Sequence, residues 1–461
     1  MGAPPNRQEN TRPIRVLFIV DSLYWVIGNF ARQISQVNPG IHAITCSQFA
    51  IRKTVKHFGS FPTCFDVVHF LRTKTIPEFW GRLPIVTTFH HLDPSTDLIP
   101  FHRSDAVMTV SRQWNQHLVK IGIPETHQGL VPFGVNPHQF YPLQAAEREN
   151  FRKGLSLRRD AFVLGFSSRR MSNINDSKGV NCFLHALREL HHHLPNLATL
   201  IIGPGWQTLA NDIRRQGIPC TQAPYKITHE HIAKYYQAMD LFWVTSRVEG
   251  GPVPLLEAMA SGLPCISTPV GAALDLIKDT KNGFIVPFDE PNQFVTRSLQ
   301  LAREPELQHH IGDEARRTIM KERQWSQAQE KLQNLYTLAI KNFHTKSNQT
   351  LSPSGVKEKS EPTQDMTFWQ NPMPEKTFYS PTVQSWIQTC EQLNGVRMMV
   401  GMREWKAASR FGFRALRTAS FNLGIWKELI SLLLKIKSKK SLDFQENSSD
   451  RATRLPSKQT L

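Results

Sequence analysis

Short apolar runs alternate with polar loops and helical stretches along the chain from Ile14 onward. The first group of runs reads IRVLFIV, HAITC, FDVVHFL, PIVTTFH and AVMTV. A second group reads AFVLGFSSRR, ATLIIGPG, LFWVTS, PCIST and GFIVPF. Because a helical or glycine-rich segment trails each run, the pattern predicts an α/β fold with two parallel sheets of about five strands each.

A proline-rich segment divides the two groups of runs. LVPFGVNPHQFYP, residues 130–142, carries three prolines and a glycine, which is typical of an interdomain connection. Beyond about residue 345 the composition shifts to Ser, Thr, Pro, Gln and Lys, as in a linker. The predicted units are an N-terminal Rossmann-like domain over 1–135, a second Rossmann-like domain over 136–320, a helix over 321–344 that returns toward the first domain, a flexible linker over 345–380, a basic helical extension over 381–440 and a disordered tail over 441–461.

Size and charge narrow the classes of protein. A chain of 461 residues with 40% apolar content can bury sizeable cores, which excludes a small disulfide-stapled scaffold. The net charge of +17 points to anionic partners: nucleic acid, anionic lipid or phosphorylated small molecules. The six cysteines form no CxxC pair, and no run of about 18 apolar residues is present. We therefore expect a cytoplasmic protein without a zinc ribbon or a redox dithiol.

One segment is the most informative about function, and it reads SRVEGGPVPLLEAMASGLPCISTPVGAALDLIKDTKNGFIVP. We expect Glu249 to end a strand and Glu257 to lie in the first turn of the helix that follows the Gly-Gly-Pro loop. Both carboxylates would then lie at one strand end, where unpaired amides and the helix dipole favour an anionic ligand. Taken alone, two such glutamates also fit surface residues that flank a turn.

With EAMASG and NGFIVP around it, this segment resembles the signature of retaining glycosyltransferase family 4, glycosyltransferase group 1. Weaker agreement extends over roughly residues 14–343. The resemblance implies the GT-B architecture, with two Rossmann-like doubly wound domains facing a cleft, and here a helical C-terminal extension is added. It also implies a nucleotide-diphosphate sugar as co-substrate, with no cofactor and no metal.

The resemblance assigns roles to the residues of this segment. Glu257 matches the glutamate that binds the donor ribose, and Glu249 matches the catalytic glutamate that faces the donor sugar. The loop amides would contact sugar hydroxyls and the distal phosphate, and Pro252, which has no N–H, stands where many members have glycine. The loop residues assigned to donor binding are Gly250, Gly251, Val253 and Leu255.

Two cations are implied by FSSRRMSNINDSKGV, which resembles the family's Arg…Lys-Gly stretch. Arg169 and Lys178 would grip the departing diphosphate and stabilise the negative charge that develops on it. Extra residues around 173–176 lengthen the loop, so Arg170 is an alternative to Arg169.

The first domain contributes two further candidates. TTFHH resembles the segment in which the family places a histidine near the sugar, and alignment on the preceding strand favours His90 over His91. An isolated histidine after a strand also fits a partly buried packing residue. In DSLYWVIGNF only Gly28 stands where members usually show a Gly-Gly pair whose amides reach the donor.

The C-terminal quarter is basic, since residues 345–461 hold 18 Lys and Arg against 10 Asp and Glu. Arg403, Lys406, Arg410, Arg414 and Arg417 recur at helical spacing on one stripe, and IWKELISLLLKIKSKK places an apolar side before a lysine cluster. This composition fits an interfacial anchor on anionic lipid. A helical hairpin docked on the enzyme, with a solvated charged face, fits it somewhat better.

Three functions remain at this stage. The favoured one is a retaining, metal-independent glycosyl transferase (EC 2.4.-.-) of glycan biosynthesis. It would move a sugar from a nucleotide-diphosphate sugar to a sugar-bearing acceptor, a polysaccharide or a lipid-linked glycan precursor. The alternative is a degenerate GT-B protein that binds nucleic acid or a membrane surface, and a GT-B epimerase or phosphorylase is the third. For the favoured function we expect no nucleic-acid partner and a cytoplasmic location, with an anionic inner membrane face as a partner of the basic helices.

Overall fold

The computed structural model describes residues 12–23, 26–37, 39–59, 61–72, 83–92, 96–168, 176–223, 229–350 and 372–401, and ten positions between 408 and 432. Arg169, Arg170 and the tail 441–461 lie outside the described residues. The same holds for Arg403, Lys406 and Arg417 of the predicted basic stripe.

The first domain is built on a parallel sheet in the order β2-β1-β4-β5-β6-β7. Its strands are β1 Ile14–Val20, β2 Ile41–Ser47, β4 Val67–Phe70, β5 Ile85–Phe89, β6 Ala106–Thr109 and β7 Gln128–Leu130, and β3 Phe61–Pro62 lies outside this sheet. Its helices are α1 Val26–Val37, α2 Gln48–Phe58, α3 Ile99–Arg103 and α4 Arg112–Lys120, with a 3₁₀ turn at Glu125–His127. The central strands are buried on both faces, as expected for a parallel sheet covered by helices.

The second domain repeats this plan, with a parallel sheet in the order β10-β9-β8-β11-β12-β13. Its strands are β8 Phe162–Ser167, β9 Leu197–Ile202, β10 Cys220–Gln222, β11 Leu241–Val244, β12 Cys265–Ser267 and β13 Phe284–Ile285. Its helices are α5 Ala145–Gly154, α6 Val180–His193, α7 Gln207–Arg215, α8 His229–Gln237, α9 Val253–Ala260, α10 Ala272–Leu276, α11 Pro291–Arg303 and α12 Pro305–Glu322.

Each sheet therefore has six strands within the described ranges, one more than the apolar runs predict. The additional strands are the short edge strands β7 and β10, whose sequences QGL and CTQ carry almost no apolar residues. Edge strands are half-solvated, so their residues need not form an apolar run.

The long helix α13, Trp325–Thr350, packs on the first domain after the chain has left the second. Its Tyr336 hydroxyl lies 2.9 Å from His69 Nδ1, and His69 Nε2 lies 2.8 Å from the Thr88 hydroxyl. Where the chain crosses back, the Val135 amide donates to the Arg323 carbonyl (2.8 Å). The two interdomain crossings thus lie side by side.

The C-terminal extension packs on the first domain through α15, Pro381–Gly401, which lies against α2. It is preceded by β14 Pro372–Met373, which pairs with β3, and by α14 Glu375–Phe378. The predicted linker over 345–380 is therefore wrong at both ends, because α13 continues through Thr350 and regular structure resumes at Pro372. Tertiary packing at these ends overrides a polar composition.

The described part of the basic helices follows the docked alternative. Ala408 and Phe411 are fully buried, whereas Arg410 is exposed. No helix in the described ranges is both long and apolar enough to span a bilayer.

Candidate active site

In each sheet there is one pair of neighbouring strands whose following connections run to opposite sides of the sheet, a topological switch point. In the first sheet it lies between β1 and β4, and in the second between β8 and β11. Open α/β sheets bind ligands in the crevice beyond the carboxyl ends of such strands. The loops that follow these four strands therefore form the candidate site.

In the second domain, Lys178 and Glu249 meet at this point. Lys178 lies between β8 and α6, and Glu249 follows β11. Lys178 Nζ lies 2.5 Å from Glu249 Oε1, and the Ser246 hydroxyl donates to the same oxygen at 3.0 Å. Both charged side chains are largely buried, so their charges are weakly screened by water.

The turn that carries Lys178 depends on the glycine that follows it. Gly179 has φ +62°, and a Cβ at this residue would lie 1.8 Å from the Thr245 carbonyl oxygen. The Thr245 hydroxyl in turn donates to the Lys178 carbonyl (2.8 Å). The Asp176 carboxylate caps α6 by accepting from the amides of Val180 (2.5 Å) and Asn181 (3.0 Å). Only glycine fits this close approach, which explains the Lys-Gly order.

The Gly-Gly-Pro loop differs from the sequence prediction in two details. Glu249 does not end the strand, because β11 ends at Val244 and a polar loop intervenes. Glu257 is not in the first turn of α9 but is its fifth residue, because the helix begins at Val253. Proline can occupy the first positions of a helix without losing a hydrogen bond, so Pro252 and Pro254 fix where α9 starts.

Few amides of this loop can meet a ligand. Pro252 and Pro254 have no N–H, and the Leu255 amide donates to the Pro252 carbonyl (2.8 Å). The Leu255 side chain is fully buried. The amides of Gly250, Gly251 and Val253 are therefore the remaining candidates for binding an anion near the start of α9.

Glu257 is a buried carboxylate, only 5% exposed. Burial raises the pKa of the neighbouring Tyr236 hydroxyl well above its ordinary value, and the charge of Glu257 raises it further. Val253 and Glu257, one turn apart on α9, line a cavity between the domains. The other residues that line it are Asn29, Phe30, Gln33, Phe133, Gly134, Val135, Asn136, Gln139, Phe140 and Trp325.

His90 follows β5 in the first domain, and its ring has a defined tautomer. Nε2 lies 2.7 Å from the Leu71 carbonyl oxygen, which can only accept, so Nε2 carries the proton. Burial lowers the pKa of His90 to about 4, and cationic Arg72 contributes in the same direction. His90 is therefore neutral near pH 7, with Nδ1 as a hydrogen-bond acceptor.

The first domain adds a charged pair that the sequence did not single out. Arg72, after β4, donates to the Asp21 carboxylate, after β1, at 3.3 Å. A charged residue directly after each of two predicted strands is the only sequence signal for it. Gly28, at the start of α1, lies against the same loop, where a Cβ would be 2.5 Å from the Ser22 carbonyl oxygen.

The two domains meet at the predicted site. A Cβ at Gly250 would lie 2.1 Å from the His90 carbonyl oxygen, and one at Gly251 would lie 3.2 Å from the Phe133 ring. The structure thus brings His90, Lys178, Glu249, Gly250 and Gly251 together. Glu257 and Val253 line the adjoining cavity together with Asn29, the residue that follows Gly28.

In the described ranges, no group of three or more His, Cys, Asp and Glu side chains is arranged to hold a metal ion. All six cysteines are free thiols, and burial raises the pKa of all six, that of Cys64 to about 11.

Comparisons with known proteins agree with this arrangement. The family model "Glycosyl transferases group 1" matches residues 147–318. EpsD of Bacillus subtilis is 28% identical over 199 residues, 42% of this chain and 50% of EpsD. The N-acetyl-alpha-D-glucosaminyl L-malate synthase of Bacillus anthracis is 26% identical over 252 residues, 52% of this chain and 63% of the synthase. Each match thus spans less than two thirds of the relative.

Among solved structures, Anabaena HepE in complex with UDP and glucose superposes with a TM-score of 0.57 at 16% identity. The superposition covers 70% of this chain and 99% of HepE, which establishes the shared fold. The family match over the second domain, the two six-stranded parallel sheets and this likeness lead to one conclusion: residues 147–318 are similar to the group 1 glycosyltransferases, and the chain has the GT-B fold.

Proposed function

We propose that the protein transfers a sugar from a nucleotide-diphosphate sugar to a hydroxyl of an acceptor, with retention of the anomeric configuration. The observation that carries the proposal is the Lys178–Glu249 pair at the switch point of the second sheet, which faces His90 across the domain contact. The crystallised complex of HepE with UDP and glucose supports a nucleotide sugar as the donor class.

The leaving group sets the main electrostatic demand of the reaction. When the bond between the anomeric carbon and the diphosphate oxygen breaks, the electron pair stays on the diphosphate. The Lys178 ammonium and the amides of Gly250, Gly251 and Val253, before and at the start of α9, stabilise that charge. Arg169 is the second cation by family resemblance. Fixed cations suffice for this step, so we propose a metal-independent reaction.

The sugar is oriented from both domains. One Glu249 oxygen is held by Lys178 and Ser246, so the other is left to accept a sugar hydroxyl. From the opposite side, neutral His90 offers Nδ1 as a second acceptor. Glu257 in the adjoining cavity binds the ribose hydroxyls, for which a carboxylate is a suitable acceptor.

The acceptor hydroxyl attacks the anomeric carbon from the face that the diphosphate leaves. Its proton passes to the departing diphosphate oxygen as the new C–O bond forms. This proton transfer needs no protein base, and attack on the same face retains the configuration.

The competing functions have less support. A degenerate protein that binds nucleic acid would not need to keep Lys178, Glu249 and Glu257, yet the sequence keeps all three. The comparisons favour the transferase. The cytoplasmic location, attachment to anionic lipid and a polysaccharide or lipid-linked acceptor stay predictions.

The proposal is tested by a transfer assay with UDP, GDP and ADP sugars as donors and a panel of glycan acceptors. We expect Lys178→Ala to lower the rate about 100-fold or more, the loss typical of removing a group that stabilises developing charge. Glu257→Gln, which keeps the shape of the buried side chain, should weaken donor use at least tenfold. NMR of the product should show the donor's anomeric configuration.

Matched controls are Lys153→Ala on α5 and Glu306→Gln on α12, both exposed and remote from the cleft. These variants should transfer sugar at the wild-type rate. Wild-type rates in both site variants would contradict the assignment of the donor site, and an inverted product would contradict retention.

A further inference from the structure

The first turn of α4 crosses from the first domain to the second at three consecutive residues. The Arg112 amide donates to Asp275 Oδ2 (3.1 Å). Gln113 Oε1 accepts from the Gly271 amide (2.7 Å), and Trp114 Nε1 donates to the Glu249 carbonyl (2.7 Å). We call residues 112–114 the α4 clasp.

Two of the three partners of the clasp belong to the loop that carries Glu249 or lie against it. Glu249 is itself one partner. Gly271 lies against the same loop, because the Ala272 amide donates to the Gly250 carbonyl (3.0 Å) and a Cβ at Gly271 would lie 2.0 Å from that oxygen. The clasp therefore contacts both the Glu249 loop and the segment behind it.

Asp275, the third partner, is a buried acid within the domain contact. Its side chain is 7% exposed, and Oδ2 lies 3.9 Å from an Arg323 guanidinium nitrogen, where the chain crosses back between the domains. Removal of the hydrogen bond from the Arg112 amide would leave this buried carboxylate with fewer hydrogen bonds to offset its loss of hydration. The contacts of the clasp thus extend from the Glu249 loop to Arg323, where the chain returns from the second domain to the first.

On the side of the first domain, the Trp114 ring packs on the strand that precedes His90. Its centroid lies 5.9 Å from the ring of Phe89, the residue before His90. One indole therefore contacts the strand end that presents His90 and, through its N–H, the backbone of Glu249.

We infer that Gln113 and Trp114 are positioning residues, which set the distance between Glu249 and His90 when the domains close on the donor. This inference rests on the proposed function. Neither side chain is assigned a contact with substrate, because both act on the backbone of the donor loop. Their loss should slow transfer while binding of the nucleotide, which depends on Lys178 and Glu257, stays intact.

The test uses variants that remove one hydrogen bond each from the full-length protein. Trp114→Phe keeps an aromatic ring but removes the indole N–H, and Gln113→Met keeps the length but removes the acceptor. We expect each to lower kcat at least tenfold with donor KM changed less than twofold. Gln113→Glu restores an acceptor for the Gly271 amide and should recover most of kcat.

Trp243→Phe is the matched control, because the Trp243 indole donates to the Ser298 hydroxyl (3.1 Å) inside the second domain. It should lower Tm and leave kcat near the wild-type value. Wild-type kcat in both Trp114→Phe and Gln113→Met would overturn the inference, as would failure of Gln113→Glu to recover activity.

A second measurement separates this inference from the proposed function. Small-angle X-ray scattering of the Gln113→Met, Trp114→Phe double variant needs no turnover. If the wild-type protein transfers no sugar from any donor, the clasp still predicts a larger radius of gyration for the double variant than for Trp243→Phe. Equal radii in that case would overturn it.

Discussion

At the scale of single residues, close packing around the loop that carries Glu249 leaves no space for a side chain at two glycines. Gly250 lies against the His90 carbonyl oxygen and Gly271 against the Gly250 carbonyl oxygen. Gly250 thus serves close packing as well as access of a ligand to backbone amides. The fit of the site depends on backbone atoms that come from both domains.

Gly250→Ala should therefore impair transfer without unfolding the protein. The added Cβ would lie 2.1 Å from the His90 carbonyl oxygen, so the domains must separate to accommodate it. We expect the transfer rate to fall at least tenfold and Tm to change by only a few degrees, measured by a donor-turnover assay and calorimetry.

The control for this substitution is Gly154→Ala at the end of α5, where an added Cβ meets nothing within 4 Å. Alanine is the better helix former, so this variant should be as stable as wild type or slightly more so. A fully active Gly250→Ala protein would show that the observed domain contact is not the one used in the reaction.

Candidate site residues could be identified from the sequence only where a local motif contains them. Glu249, Glu257 and the Lys178-Gly179 pair lie in segments whose order of residues is itself informative. The Lys178–Glu249 contact joins residues 71 positions apart, and the Trp114–Glu249 contact joins residues 135 apart. Such pairs follow from how β8, β11 and α4 come together, which no local pattern specifies.

At the scale of elements, α15 supports the first domain by inserting a carboxylate at the start of α2. Glu391 Oε1 accepts from the Ser47 amide (2.5 Å), and the Ser47 hydroxyl accepts from the Ala50 amide (3.1 Å). Toward the other end of α2, the Trp386 ring stacks on His57 with centroids 3.9 Å apart. Asn394 donates to the Asp21 carbonyl (3.0 Å), beside the first-sheet switch point.

Docking of α15 should weaken as the pH rises through the acidic range. Burial raises the pKa of Glu391 from 4.5 to about 7. Between these values the unfolded chain releases this proton while the folded protein retains it, so the free energy of unfolding falls. Relative to wild type, Glu391→Gln should gain about 3 kcal/mol between pH 4.5 and pH 7.5.

The measurement is urea unfolding of both proteins across this pH range. The buried thiols of Cys46 and Cys390 do not interfere, because burial raises the pKa of both well above it. Glu375→Gln, on the same extension but with a 57% exposed side chain, should show no such gain. A stability difference between Glu391→Gln and wild type that stays constant with pH would refute this account.

The elements themselves were largely predictable from the sequence, because parallel strands that are buried on both faces have nearly continuous apolar sequences. The exceptions have physical causes. The edge strands β7 and β10 are short and half-solvated, and β3 and β14 have two residues each. The face of α15 that docks on the first domain lies before the basic segments singled out in the sequence. It is formed by Val383, Trp386, Ile387, Cys390 and Leu393.

At the scale of the whole molecule, the two domains differ in how clearly their sequences indicate a function. The second domain carries the family match and the predicted donor residues. The first contributes His90, the Asp21–Arg72 pair and the α4 clasp, and it is also the domain on which the C-terminal extension docks. Because α13 and α15 both pack on it, the first domain is fixed from two sides, while the clasp controls its approach to the donor loop.

The central claim is that Lys178 and Glu257 belong to one site for a nucleoside diphosphate. Calorimetric titration of UDP, GDP and ADP into the wild-type protein, Lys178→Ala, Glu257→Gln and Lys153→Ala tests it directly. The account predicts that one of the three nucleotides binds the wild-type protein at one site per chain, that both site variants bind it at least tenfold more weakly, and that Lys153→Ala binds it as wild type does. Equal affinity of the wild-type protein and both site variants for that nucleotide, or no binding of any of the three, would contradict it.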